Sequence, residues 1–331
     1  MKSVKASAPG NIFFAGEHAV VYGKPAIIAA VERRTYCTAS KRQDDKIIIE
    51  SREFGKAFAF LKNTAVKQRT GKQELFVLFD LIESLAKKHE IKKGLKLKIE
   101  SEVPVESGLS SSTAVLSASL CSLDGLLELG IKKEEYFEYL YPMQVKIHGG
   151  KASGSEIISS ALGGYNRIQK IEKEGKTMLD WRNLGQQSLS VVIGNTKVRA
   201  PTALAVGMHI PSLMKRFPGM VENEFEKIAA ICNEIEEALK KHDEALLGAL
   251  LNKNQAILSK LGLSHPKLDD CINEALKAGA LGAKLSGGGW GGVMFALVRK
   301  GDEQKVAKAI ESTGAETIIT KIGCNGAKLC E

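Results

Sequence analysis

Pro104-Val105-Glu106-Ser107-Gly108-Leu109-Ser110-Ser111-Ser112-Thr113 joins two segments of different periodicity. Before it, Leu95-Lys96-Leu97-Lys98-Ile99-Glu100 alternates apolar and charged residues with the period of a half-buried strand. After it, Ser112 to Leu129 reads as a helix, opened by serines that can cap it and closed near Gly130. A strand, a glycine turn and a helix N-terminus in that order make a cradle for an anion. Gly108 permits the tight turn, and the helix offers unpaired N–H groups at the positive end of its dipole. Such a cradle suits a triphosphate. It is not a Walker loop, because no Gly-Lys-Ser/Thr follows, so hydroxyls must supply the side-chain contacts. The same serines also suit a plain helix cap, and this segment alone leaves both readings open.

On either side the pattern stays mixed. Ile47 to Glu50 alternates like a strand, and Val4 to Ala8 with Ile12 to Ala15 predicts an opening strand pair. Leu75, Leu78, Phe79, Ile82 and Leu85 give Glu74 to Lys88 a helical face. A third helix begins near Glu134, and Pro142 is expected to end or kink it. Gly163-Gly164 and the polar run Lys170 to Lys176 mark turns, which puts the domain boundary between there and Ser188. The second half reopens with the apolar strand Leu189 to Ile193, then two long helices, Glu222 to Lys240 and Asp243 to Leu261, and a final strand-helix-strand run. Strands and helices are thus mixed in both halves. With 331 residues the chain exceeds the size at which one core stops growing, and domains over 1–180 and 181–331 are expected.

A second glycine cluster, Lys284-Leu285-Ser286-Gly287-Gly288-Gly289-Trp290-Gly291-Gly292-Val293, precedes the strand Val293 to Val298. Five glycines in six residues weaken any regular element, which implies close approach to another backbone or to a ligand; a flexible turn is the alternative. Two glycine-rich segments far apart in sequence favour a nucleotide site in a cleft.

Composition narrows the partners. The net charge of +9 does not by itself choose between nucleic acid, an anionic membrane and small anionic substrates. Lysines lie mostly in mixed runs such as Lys132-Lys133-Glu134-Glu135 and Lys240-Lys241-His242-Asp243-Glu244, which read as solvated faces. Aromatic residues are only 6%, with no basic and aromatic platform for stacking bases, so nucleic acid is not an expected partner. Six cysteines without a C-x-x-C pair suggest neither zinc nor disulfides, and point to reduced thiols in a cytoplasmic protein. No stretch approaches the ~20 apolar residues that span a bilayer, so no membrane association is expected. A homodimer is the base-rate expectation for the assembly.

The opening run Ala8-Pro9-Gly10-Asn11-Ile12-Phe13-Phe14-Ala15-Gly16-Glu17-His18-Ala19-Val20-Val21-Tyr22-Gly23 closely resembles the first motif of the GHMP kinase superfamily in its mevalonate-kinase form. Galactokinases continue Gly-Glu-His with Thr-Asp-Tyr, which this chain lacks. The serine-rich loop is similar to the second motif and Gly287 to Gly292 to the third. Asn195-Thr196-Lys197-Val198 with Thr202, and Asn252 to Leu268 with Gln255 and Leu258, extend the resemblance over nearly the whole chain. It implies an α+β fold of two domains, the N-terminal one α+β and like ribosomal protein S5 domain 2 and the C-terminal one ferredoxin-like α/β, with ATP and substrate between them. It also implies ATP-dependent phosphorylation of mevalonate for isoprenoid precursor synthesis.

Residue roles follow from the same resemblance. Pro104, Ser107, Gly108, Leu109, Ser110, Ser111, Ser112 and Thr113, with Gly287, Gly288 and Gly289, are the expected ATP contacts. Ser112 is expected to touch Mg2+, and Glu17, His18, His148 and Thr202 the substrate. Three positions depart from the family pattern. Asn11 stands where a lysine lies beside the transferred phosphate, Gln144 where a glutamate binds magnesium, and Glu156 where an aspartate acts as general base. Without the lysine a cation is missing from a reaction that depends on positioning and electrostatics. Neutral Gln144 is a poorer ligand for a hard cation. Glu156 keeps a carboxylate one methylene longer, able to serve as base or to reach the metal. These changes leave two alternatives open: a kinase of mevalonate 3-phosphate or 5-phosphate, and a nucleotide-binding paralogue without catalysis. His18 as a hydrogen-bonded structural residue, Glu156 as a solvated helix-start carboxylate, and His148, Lys151 and Arg199 as surface charges are the bland readings of the same residues.

Overall fold

The computed structural model describes residues 2–104, 108–148, 152–173, 176–198 and 205–331. By contact density the chain divides into two units, each discontinuous in sequence: 1–10, 33–163 and 325–331 form one, and 11–32 with 164–324 the other.

In the first unit the predicted alternation is realised as strands. Much of β1 (Ser3–Ala15) and β2 (Ala26–Lys41) belongs here, followed by β3 (Lys46–Ser51), β4 (Gly55–Lys62), β5 (Ala65–Gly71) and β6 (Leu95–Ser101). The order is β2-β6-β3-β4-β5, antiparallel except for the parallel β3–β6 pair, with Ile49 opposite Leu97 and Cys37 opposite Ile99. Ile47, Ile49, Leu95, Leu97 and Ile99 all point to the same core. Four helices pack there: α1 (Phe76–His89), α2 (Ser111–Leu127), α3 (Tyr136–Ile147) and α4 (Ser155–Leu162). α1 buries Leu78, Phe79, Ile82, Leu85 and Ala86, the i, i+3, i+4 stripe read from the sequence. Lys87, Lys88 and His89 occupy its last turn, where cations suit the helix dipole.

Two local expectations are corrected, and that for Pro142 is narrowed, since it does not end its helix. β1 is one thirteen-residue strand and not a pair. Pro9 and Gly10 are absorbed inside it, with the Pro9 carbonyl accepting from Ser160 Oγ at 2.8 Å. α3 runs through Pro142. Pro142 and Glu138, whose carbonyl loses its usual donor, lie on the exposed side, where water replaces the missing N–H. The serines do not cap α2: the N-cap Ser110 is left-handed (φ 56°), not extended, and makes no cap bond.

The second unit continues with β7 (Tyr165–Lys173), β8 (Lys176–Asn183) and β9 (Leu189–Asn195). A π-helical turn over Ala205–His209 leads into α5 (Ile210–Arg216), then α6 (Pro218–Lys240), α7 (Glu244–Lys260) and α8 (Pro266–Lys277). β10 (Gly282–Ser286), β11 (Val293–Leu297), α9 (Glu303–Glu311) and β12 (Glu316–Ile322) complete it. Its strands run β10-β11-β9-β12, all antiparallel, while β7 pairs with β8 and with the first residues of β2. Phe225, Ile228, Leu258, Leu268 and Ile272 bring one face of each long helix against Leu285, Met294 and Ala296. Asp243 caps α7 through Leu246 N–H at 2.9 Å. The Lys240 to Glu244 run is exposed, as its mixed charge predicted.

None of the six cysteines is in a disulfide, and Cys37, Cys121, Cys232 and Cys271 are buried. Among the described residues no helix is long and apolar enough to cross a membrane.

Candidate active site

Each unit carries one cluster of the residues singled out in the sequence. In the first unit the N-termini of α2 and α4 and the last turn of α3 supply it. Gly108 turns left-handed (φ 70°), Leu109 is buried and Ser110 begins α2. A Cβ on Gly10 would lie 2.6 Å from the Leu109 carbonyl oxygen, so β1 and the loop approach closely because glycine is there. Ser111 and Ser112 fill the first helical turn and are half-buried, while Pro104 is exposed. Ser107 lies outside the described residues.

Gln144 is fully buried and its amide is the hub. Nε2 donates to Thr113 Oγ1 at 3.1 Å and to Glu156 Oε2. Oε1 is buried and finds no partner among the described residues. Glu156 sits in the first turn of α4, half-buried, and also takes a hydrogen bond from the Ser110 side chain. Burial pushes its carboxyl above the usual carboxylate range, against the His148 imidazole and the Ser110 and Gln144 donors, which pull it down. His148 itself is exposed at the end of α3. Four candidates, Ser110, Thr113, Gln144 and Glu156, are thus joined by hydrogen bonds, with His148 beside them as a charge.

In the second unit the turn after β1 meets the glycine-rich segment. Gly16 has φ 99°, and a Cβ there would fall 2.3 Å from Ala26 Cα. His18 follows in a strained conformation, φ 60° and ψ −48°. Its Nε2 donates to the Gly288 carbonyl at 3.0 Å. Burial drives its pKa down to about 4, partly opposed by that bond and assisted by the charges of His209 and Lys284. Glu17 is buried and ion-paired with the equally buried Lys284. Burial pushes the Glu17 carboxyl up and the Lys284 ammonium down, and each partner's charge resists the change in the other. Asn11 is fully buried in β1. Thr202, like Arg199 and Lys151, lies outside the described residues.

Gly287 and Gly289 have φ of 92° and 79°, and Trp290 shares the left-handed region at 61°. Trp290 is pinned in three ways: its N–H donates to the Leu263 carbonyl at 2.8 Å, Nε1 donates to the Gly262 carbonyl at 2.7 Å, and its ring meets His209 edge-on. His209 in turn holds the Leu261 carbonyl through Nε2 at 2.8 Å. The segment is therefore anchored and is not a loose turn. Lys284 and His209 were given no role from sequence. A lysine inside the otherwise apolar strand before a glycine cluster was a usable signal for the first; nothing local marks His209.

The donor set around Gln144 and Glu156 is one carboxylate and one unpartnered amide oxygen. Both are hard oxygens, and the set fits Mg2+ arriving with phosphates, a cation that commonly takes one or two protein carboxylates. Among the described residues there is no group of three or more histidine, cysteine, aspartate or glutamate side chains able to hold a metal alone.

Comparison with known proteins places this geometry. Residues 77–164 match the model of the GHMP kinases N-terminal domain, and residues 235–316 the GHMP kinases C-terminal model. A mevalonate kinase of Pyrococcus abyssi is 33% identical over 339 residues, covering 99% of this chain and 98% of that protein. One from Pyrococcus horikoshii is 33% identical over 342 residues, covering 100% and 99%. Among solved structures, the Leishmania major mevalonate kinase in complex with R-mevalonate superposes with a TM-score of 0.81 at 23% identity, over 97% of this chain and 96% of that one, a likeness of fold. With both family models matched in order and similarity running end to end, the chain belongs to the GHMP kinases and has their two-domain α+β fold.

Proposed function

We propose that this chain transfers the γ-phosphoryl group of ATP to a hydroxyl of mevalonate. The observation that supports it best is the fixing of Glu156: one carboxylate, held by the Gln144 amide and the Ser110 hydroxyl at the start of α4, beside a helix N-terminus suited to phosphates. The identity with curated mevalonate kinases supports the choice of substrate.

In this reading Gly108 to Thr113 take the phosphates through backbone N–H groups and hydroxyls. The substrate oxygen bonds to the γ-phosphorus as the bond to ADP breaks, and the hydroxyl proton passes to Glu156. A carboxyl lifted above its ordinary range is a stronger base for that proton. Asn11, without charge, orients by hydrogen bonding only. Gln144 Oε1, Glu156 and Ser112 are the groups that would hold Mg2+, which neutralises charge on the phosphates when bound.

The test measures ADP release with mevalonate, mevalonate 3-phosphate and mevalonate 5-phosphate, beside calorimetry with a non-hydrolysable ATP analogue. Turnover on mevalonate is expected. Turnover on a phosphorylated form alone moves the substrate assignment, and nucleotide binding without turnover on any of the three makes the chain a binding protein.

A further inference from the structure

The sheet of the first unit has two unlike faces. Cys37, Ile47, Ile49, Ala57, Leu97 and Ile99 point into the core, and α1 to α4 all pack on that side. The alternate residues point the other way, where none of these helices lies, and the register sets them side by side. Ser40, Lys96, Ile48, Phe58 and Thr70 form one row across five strands, and Lys46, Phe60 and Lys67 form part of the next. Ammonium groups and aromatic rings are interleaved there. Lys46 Nζ lies 5.0 Å from the centre of the Phe58 ring and Lys62 Nζ 5.9 Å from that of Phe60, while Lys5 Nζ on β1 lies 4.9 Å from that of Tyr36 on β2. In sequence Tyr36, Phe58 and Lys98 are far apart, and composition argued against a basic and aromatic platform; the register assembles one.

Charge and shape choose the occupant. From β3 to β6, Lys46, Lys56, Lys62, Lys67, Lys96 and Lys98 point outward against only Glu50 and Glu100. Glu50 is held by Lys56 and Lys96 and Glu100 by Lys98, while Lys46, Lys62 and Lys67 have no carboxylate partner among the described residues. Like charge excludes a second copy of the same face. Ile48, Phe58 and Phe60 are half-buried, and none of the exposed large apolar side chains of the chain lies here, so nothing projects to enter a bilayer. A polyanion suits the lysines and flat rings suit the aromatics, and a single nucleic-acid strand supplies both. Phe58 and Phe60, two residues apart on β4 and so about 7 Å along the strand, offer rings to two bases. A duplex keeps its base faces stacked inside.

We propose that this open sheet face binds single-stranded nucleic acid, RNA or DNA, with bases stacked on Tyr36, Phe58 and Phe60 and phosphates on the lysines around them. A lysine over an exposed ring is a weaker partner than a stacked base, and once displaced its ammonium group can turn to a phosphate. None of these residues belongs to the candidate active site, so the face can act whatever the chain phosphorylates.

Fluorescence anisotropy on the full-length protein tests this with labelled oligouridylate and oligothymidylate of about twelve nucleotides, at about 50 mM salt and with excess ATP analogue to fill the nucleotide site. Both should bind with Kd between about 1 and 100 μM, weakening steeply with salt. A duplex of the same length, poly-glutamate and phosphatidylserine vesicles should bind about tenfold more weakly or less. Phe58→Leu/Phe60→Leu should lower affinity about tenfold or more with the salt dependence unchanged. Lys46→Gln/Lys96→Gln/Lys98→Gln should reduce the slope of log K against log salt by about 2, whereas the same charge removed elsewhere, in Lys132→Gln/Lys133→Gln/Lys241→Gln, should leave it unchanged. Parental melting temperatures show that each variant is folded. A preference for RNA or for DNA supports the proposal and names the source of the strand. No binding at about 100 μM, binding that the ATP analogue abolishes, equal affinity for the duplex or poly-glutamate, or a preference for the vesicles overturns it. Parental affinity in the phenylalanine variant, or equal effects of the two lysine sets, overturns it as well.

Discussion

His18 and Gly288, 270 residues apart in sequence, share a hydrogen bond of 3.0 Å, and burial, against the pull of that bond, keeps the imidazole neutral. Because burial lowers its pKa from 6.5 to about 4, the folded protein resists protonation that the unfolded chain accepts. The unfolded state therefore binds more protons between those values. The contribution is complete above the unfolded pKa and is lost as pH falls from about 6.5 to about 4, by about 3 kcal/mol. Urea unfolding across that range should show this loss in the parent and its absence in His18→Asn, which tolerates the positive φ.

Gly16 lies against Ala26, and no side chain fits between them. Gly16→Ala adds both a steric overlap and a left-handed penalty, at a cost of about 3 kcal/mol or more. Thermal denaturation measures it, and a melting temperature equal to the parent's contradicts the packing described.

Glu156→Gln keeps the shape of the side chain and removes the acceptor for the substrate proton. ADP release on mevalonate should fall by about 10²- to 10⁴-fold, with ATP-analogue affinity by calorimetry little changed. Near-parental turnover would move the general base elsewhere.

Arg34 is almost fully buried and holds four acceptors: Ser7 Oγ at 2.9 Å, the Ser7 carbonyl at 3.1 Å, and the Asn325 and Gly326 carbonyls at 2.7 Å. Arg34→Met leaves those carbonyls unsatisfied and should cost about 3 to 5 kcal/mol, read from the urea midpoint. Lysine should not restore it, since one ammonium cannot reproduce the planar fork.

The legible parts of this molecule were those set by neighbours in sequence. The stripe Leu78, Phe79, Ile82, Leu85 and the alternation at Leu95 to Glu100 gave correct elements because helix and strand periods act within a few residues. Pro9-Gly10 misled, since a strand absorbs them when Ser160 takes the Pro9 carbonyl, a contact 151 residues away. Pro142 does not end its helix because exposure decides whether a missing N–H costs anything, and exposure is tertiary. In the candidate site, the serine loop, Glu17, His18 and Glu156 were marked by motif. The Gln144–Glu156 hydrogen bond, the burial of Lys284 behind Glu17, and the seat of His209 against Trp290 are long-range outcomes that no local spacing encodes.

The pairing of Ala6 with Leu329 and of Ser7 with Lys328 bears on how the polypeptide is made. During synthesis this edge of β1 stays uncovered until residues 328 and 329 are translated, and Arg34 waits with it for the Asn325 and Gly326 carbonyls. The first unit therefore cannot close before 325–329 are made, whereas 164–324 of the second emerges as one uninterrupted stretch. Until then that edge of β1 is open to pairing with another chain.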